Sequence, residues 1–163
     1  MDLEIPKPLK KEHEELHREL KRGTKEKGKV GEAARAVAKA LHPHFVKEEE
    51  FAMPPLGLLT ALAKGRVSAK MKEALVMTNR LNADLDRMLK EHKQIVAASR
   101  KLVATAKREN KLEYVMFADK LILHAQTEEA VYYPASLLIG RYLKLKLKKH
   151  PTAVRPHTNT RKI

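Results

Sequence analysis

His44-Phe-Val-Lys-Glu48-Glu49-Glu50-Phe-Ala-Met-Pro54 and His124-Ala-Gln-Thr-Glu128-Glu129-Ala-Val-Tyr-Tyr-Pro134 carry one pattern at two places in the chain. Each has a histidine, glutamates four and five residues on, and a proline ten on. Upstream of each stands a Lys-Glu-His triplet, ending at His13 and at His92, 31 and 32 residues before the paired histidine. Residues four apart lie about 40° apart around a helix, so each His/Glu pair shares a face. Apolar residues continue those faces at three- and four-residue spacing. Leu9, His13, Leu16 and Leu20 form one stripe, and Val37, Leu41, His44, Glu48 and Phe51 a second. Leu85, Leu89, His92, Val96, Ser99 and Val103 form a third; Phe117, Leu121, His124, Glu128, Val131 and Ala135 form a fourth. In every stripe a histidine takes the place of an apolar residue. The expected fold is all-α, a four-helix bundle with His13, His44, Glu48, His92, His124 and Glu128 pointing inward at similar heights.

The rest of the chain fits around those helices. Pro6 and Pro8 sit where a first helix begins, and the stretch from Arg22 to Gly28 ends it. A second helix is expected from about Gly31 to Phe51, stopped by Pro54-Pro55. Leu56 to Gly65 is apolar and short, predicting a helical insertion packed over one end of the bundle. A third helix is expected from about Ser68 to Asn110, with Asn79 to Asp84 as a candidate break. A fourth runs from about Lys111 to Leu147, where Pro134 predicts a kink or a change of direction. After Pro151 periodicity ceases, giving a bundle over residues 1–147 and a basic, disordered tail over 148–163. Alternating strand patterns and Asn-Gly or Asp-Gly turns are absent.

The chain has 163 residues and no cysteine, which excludes disulfides, thiolate clusters and a nucleophilic thiol. The expected compartment is the cytoplasm, since Met1 to Ile5 lacks the features of a secretory signal. No stretch approaches the roughly 18 uncharged apolar residues that span a bilayer, so no membrane role is expected. The formal charge is +14. Eight of the positive side chains lie from Arg141 onward, where no acidic residue occurs. With three Phe, four Tyr and no Trp, no basic patch is interleaved with stacking residues. The charge implies solubility and weak, non-specific polyanion binding through the tail. Gly-rich phosphate loops and Ser/His/Asp constellations are also missing, which leaves nucleotide-binding and hydrolase readings without support.

The inward groups need a physical reason. A single core histidine is commonplace, but four histidines with two inward glutamates are expensive, because an unpartnered buried carboxylate costs several kcal/mol. Bound cations remove that cost by standing in for water at both carboxylate and imidazole. Imidazole with carboxylate suits first-row transition metals, and shared glutamates suit two ions roughly 3.5–4 Å apart. The expected cofactor is a pair of non-haem iron ions. Ferritin-like bundles use paired Glu-x-x-His motifs with lone glutamates. Here the pair is His-x-x-x-Glu and the lone residues are histidines, so the site is richer in nitrogen. The competing reading is a structural or nucleic-acid-interacting bundle without metal.

Glu12-His13-Glu-Glu-Leu16, His44-x-x-x-Glu48-Glu49, Lys-Glu-His92 and His124-x-x-x-Glu128-Glu129 together resemble the hemerythrin HHE cation-binding family, over roughly residues 5–145. The resemblance implies an up-down-up-down bundle around a di-iron centre with bridging carboxylates and outer imidazoles. It implies that His13, His44, Glu48, His92 and His124 are ligands. O2-carrying members have their helix-four acid five residues after the histidine, at Glu129, whereas the internal repeat and the stripe favour Glu128. Glu128 is the expected ligand and Glu129 the second choice. Those members also carry a further helix-three histidine where this chain has Met88, and His17 is the candidate to restore the count. His42, His150 and His157 are expected to be peripheral; Tyr132 and Tyr133 are expected to serve packing, with one of them lining the pocket or hydrogen-bonding a ligand as the alternative. The implied function is binding of O2 or a related small oxidant for sensing, scavenging or protection. Iron handling and peroxidase-like activity at the same centre are the alternatives.

Overall fold

The computed structural model describes residues 3–148, and among these there is no strand. Helix α1 spans Lys7–Thr24, opened by prolines whose fixed φ and missing N–H suit a first turn. Helix α2 spans Gly28–Lys47 and continues as a wider π-turn over Glu48–Ala52. Two 3-10 turns, Pro54–Leu58 and Ala69–Met71, flank the short helix α3, Leu59–Ala63. Helix α4 runs unbroken over Lys72–Arg108, about 55 Å long. The candidate break at Asn79 to Asp84 does not occur, since none of those side chains removes a backbone donor. Asn110, at φ 54°, ends α4: Lys111 N–H donates to Ala106 and Asn110 N–H to Lys107, the usual left-handed helix stop. Helix α5, Leu112–Thr127, passes through a second π-turn, Glu128–Tyr132, into α6, Tyr133–Lys148. The expected basic tail lies outside the described residues apart from Lys148, which ends α6.

Each helix packs on the next, α1 on α2, α2 on α4 and α4 on α5 and α6, and α5 closes the ring against α1. The arrangement is the expected four-helix bundle, with the insertion at one end. There Leu56, Leu58 and Met71 pack with Leu9, Ile139 and Leu143. At the other end Leu16, Leu20, Val37, Leu41, Ile95, Leu102, Phe117 and Leu121 form the larger apolar core. Where α6 crosses α4, a Cβ at Gly140 would stand 2.2 Å from Thr78 Oγ1, so only glycine permits that approach.

Both π-turns begin at the glutamate of the repeat and precede its proline. The Glu48 carbonyl accepts from Met53 N–H at 2.9 Å, and the Glu128 carbonyl accepts from Tyr133 N–H, both wide five-residue bonds. The cause lies in the proline six residues after each glutamate, which lacks a donor and whose ring would collide with the carbonyl four residues back. Widening the turn relieves that clash. The extra residue also rotates everything that follows. Val131, expected to point inward, is exposed; Ala135 is half-buried at the margin, packed against the insertion's apolar cluster, and Tyr133, Ser136, Ile139, Gly140 and Leu143 face the core. On α4 the buried line is Met88, His92, Ile95, Ser99 and Leu102, displacing the expected Leu85, Leu89, Val96 and Val103 to its margins.

Candidate metal centre

The six inward residues come together from four helices between the two apolar ends. His13 comes from α1, His44 and Glu48 from α2 and its π-turn, His92 from α4, and His124 and Glu128 from α5 and its π-turn. All are buried. They form two overlapping groups: His13, Glu48, His124 and Glu128 in one, and His44, Glu48, His92 and Glu128 in the other. In each group the potential ligand atoms lie within 4.8 Å of one another. Both carboxylates belong to both groups, and each group has its own two imidazoles. The internal repeat in sequence is therefore a pseudo-twofold axis in space, passing between Glu48 and Glu128.

All four imidazoles turn Nε2 inward. His44 Nε2 is 2.9 Å from Glu48 Oε1, and His124 Nε2 is 2.9 Å from Glu128 Oε1. His92 Nε2 stands 3.3 Å from Glu128 Oε2 and 3.7 Å from Glu48 Oε1, and so joins the two carboxylates. His13 Nε2 does the same at 3.6 Å and 3.8 Å from the other oxygens.

The outward nitrogens are braced by a ring of four more glutamates. His44 Nδ1 donates to Glu91 at 2.8 Å, His92 Nδ1 to Glu129 at 2.9 Å and His13 Nδ1 to Glu49 at 3.3 Å. His124 Nδ1 is 3.2 Å from Glu12, though that pair does not align as a hydrogen bond. Each brace is the neighbour in sequence of a residue in the central cluster. The acid preceding a lone histidine reaches the paired histidine of another helix, and the acid following each central glutamate reaches a lone histidine. An Nδ1–H held by a carboxylate fixes the tautomer that leaves the Nε2 lone pair facing inward, the form that ligates metal.

Several features of the centre are unfavourable without cations. Glu48 Oε2 and Glu128 Oε1 are buried and accept no hydrogen bond. His13 and His124 set their Nε2 atoms 3.2 Å apart, which requires a proton or a cation between two lone pairs. Without a cation, a proton would have to fill that role. Burial works against a charged imidazole, yet Glu128 and Glu48 outweigh it and push His92 up to about 10. Against the same effect of burial, Glu128 lifts His124 to about 9. His13 and His44 also rise, through Glu128 and Glu48 respectively, with burial again opposing. Although burial favours its neutral form, Glu128 is held well below the usual carboxylate range by His124, His13 and His92. Carboxylate oxygens and imidazole nitrogens in this number suit first-row transition ions, so the donor set fits the implied metal pair.

Three other residues find definite places. Glu129 is 44% exposed against 1% for Glu128, and it braces His92 from outside the cluster. His17 does not join the six. Its ring packs edge-on against Phe45 at 4.9 Å, and Phe45 in turn stacks on His13 at 4.2 Å. His17 instead borders a surface cavity of about 620 Å³ with Glu14 and the exposed His42. Tyr133 takes the second of the two roles open to it and reaches the cluster. Its hydroxyl donates to Glu48 Oε1 and lies 3.2 Å from both His44 Nε2 and His92 Nε2, while its ring stacks on His92 at 5.5 Å. It packs in one cluster with Met88, Phe51 and Leu81 beside the centre. Helical spacing hid it, because a residue five on from Glu128 lies about 140° away on an α-helix. The π-turn brings it back to the same face.

Comparison with known proteins agrees with this geometry. Neither the curated proteins nor the solved structures contain a match, but the family profile described as Hemerythrin HHE cation binding domain matches residues 5–136. That span takes in every element that supplies the centre, and the chain belongs to the hemerythrin HHE cation-binding domain family.

Proposed function

We propose that the chain is a non-haem di-iron protein in which His13, His44, Glu48, His92, His124 and Glu128 hold the metal and O2 or a related small oxidant is the ligand. The observation that carries the reading is the sharing of both carboxylates between two buried ligand groups. A site for one ion needs no such sharing, and a metal-free core gains nothing from carboxylate oxygens without partners. A ferrous pair supplies electrons to a bound oxidant. The protein's own part is to exclude water and to hold the ligands. Apolar ends close the bundle above and below, and outer glutamates fix the imidazoles of His13, His44 and His92.

Tyr133 gives the two halves of the centre different character. The residue at the matching place in the repeat is Met53, so the His44/His92 half has a hydroxyl and its counterpart in sequence a thioether. Burial and the nearby Glu48 and Glu128 carboxylates raise Tyr133 far above a free phenol. It is therefore a neutral O–H that holds a proton beside Glu48.

The test is metal content and reactivity of protein expressed with ample iron. About two irons per chain are expected. After anaerobic reduction, exposure to O2 should change the visible absorption. One ion per chain, or zinc preferred over iron, would overturn the di-iron assignment; two irons indifferent to oxidants would favour iron handling.

A further inference from the structure

Of nine large apolar side chains exposed among the described residues, six lie on α5, its π-turn and α6. Five of them form one line: Met116, Leu123, Val131, Leu138 and Leu145, exposed by 73%, 63%, 52%, 66% and 64%. Their spacing is seven, eight, seven and seven residues. Seven is the repeat that keeps a seam facing a partner helix. The step of eight coincides with the π-turn Glu128–Tyr132, which absorbs one residue, so the line continues unbroken across it. This stripe faces away from the bundle's own core, which is lined by Phe117, Leu121, Tyr133, Ile139 and Leu143.

The stripe matches itself when reversed. Turned about Val131, Leu123 comes opposite Leu138 and Met116 opposite Leu145. Its flanking charges reverse as well. At the α5 end the lysines are drawn inward, Lys111 to Glu26 and Lys120 to Glu15 and Glu19, which leaves Glu113 and Asp119 beside the stripe. The α6 end carries Arg141, Lys144, Lys146 and Lys148 with no acid. Antiparallel pairing of two copies sets Asp119 against Arg141 and Glu113 against Lys146. Parallel pairing would set the basic ends against each other. The strip is about 44 Å long on a helix about 10 Å across. A cavity of about 330 Å³ between Leu59, Leu62, Leu138 and Tyr142 widens it. The strip alone, roughly 440 Å² on these dimensions, is about half of the roughly 800 Å² that each partner of a standard interface contributes, so the flanking charged residues make up the rest of the contact.

We propose that the outer face of α5–α6 binds a second copy of this chain, antiparallel, about a twofold axis at Val131. Charge complementarity selects the direction and the apolar line supplies the affinity. Leaving the bundle core untouched, this interface keeps both metal centres complete within their own chains.

The full chain should sediment as a dimer at micromolar concentrations. Leu138→Glu and, separately, Leu123→Glu should each weaken the dimer by about a hundredfold or more, with helical circular dichroism unchanged because both positions are exposed. Asp119→Arg should weaken it, and adding Arg141→Asp should restore it. The chain has no native cysteine, so single cysteines report the direction of pairing. With a short thiol cross-linker, Val131→Cys should link to its own copy. Met116→Cys should not, because the two copies of that position lie about 44 Å apart; it should link to Leu145→Cys when the two variants are mixed. A monomer at high concentration, a dimer indifferent to both glutamate variants, or self-linking of Met116→Cys would each overturn the proposal.

Discussion

Glu91 Oε2 lies 2.8 Å from His44 Nδ1, which joins the residue before the lone histidine of α4 to the paired histidine of α2. Lys47 holds the other oxygen of the same carboxylate. Burial would favour neutral Glu91, but His44 and Lys47 together hold it below the usual carboxylate value. The brace is therefore charged at neutral pH, and it is the shortest of the four outer contacts.

Glu91→Gln tests what that brace does. The amide can still accept from Nδ1–H but carries no charge, so the imidazole becomes a poorer donor to metal. Outer partners of this kind are typically worth 10- to 100-fold in metal affinity. We expect a loss in that range by chelator competition, with the fold intact by circular dichroism. Unchanged affinity would show that His44 is oriented by packing alone.

Tyr133→Phe should separate the hydroxyl from the ring. The ring's stacking on His92 survives, while Glu48 Oε1 loses its donor. A hydrogen bond to a buried charged group contributes about 1.5–3 kcal/mol. The metal-free protein should be destabilised by about that amount in denaturant titration. The metal-loaded protein should lose less, because a cation then satisfies the carboxylate. Equal losses in both states would mean that the metal leaves that oxygen alone.

Much of this was legible in the residues. The stripes placed all six inward groups, because an α-helical face repeats every three or four residues regardless of what the side chains do. The four bracing glutamates were visible as Glu-His pairs and Glu-Glu doublets, yet nothing in spacing says which histidine an adjacent acid will reach across a bundle. Of the four, only Glu129 suggests itself from the sequence, and there as a ligand. Val131 leaves the expected inward face, and Tyr133 joins it, for a single reason. Pro134 announces a disturbance, but a kink and a π-turn look alike in sequence and rotate the following residues differently.

The pH dependence of the metal-free protein follows from the directions of the shifts. His92 and His124 are raised from 6.5 to about 10 and about 9, so their folded-state protonation stabilises fully below 6.5. That stabilisation declines above 6.5 and is gone once pH has passed through about 9 and about 10. Glu128, lowered from 4.5, contributes in the opposite sense: its stabilisation is present above 4.5 and lost as pH falls through its depressed value. The melting temperature of metal-free protein should therefore fall between pH 7 and pH 10, while metal-loaded protein stays nearly level over that window. Metal uptake should release protons, measurable as a buffer-dependent heat of binding. A metal-free protein with no decline toward pH 10 would refute the protonated-imidazole account.

The basic end of the chain and the buried centre should be separable. Removing residues 149–163 takes away Lys149, Arg155, Arg161 and Lys162 and none of the inward six. Iron content should stay at about two per chain, while affinity for heparin or DNA should fall and its salt dependence become shallower. Glu48→Ala should do the reverse. Glu48 is fully buried and shared by both ligand groups, so its loss should take away most of the iron and leave polyanion affinity unaltered. Making both changes and measuring both properties on each protein gives a two-by-two result. Iron lost on truncation would tie the tail to the centre. Two irons retained in Glu48→Ala would place the metal somewhere other than between the shared carboxylates.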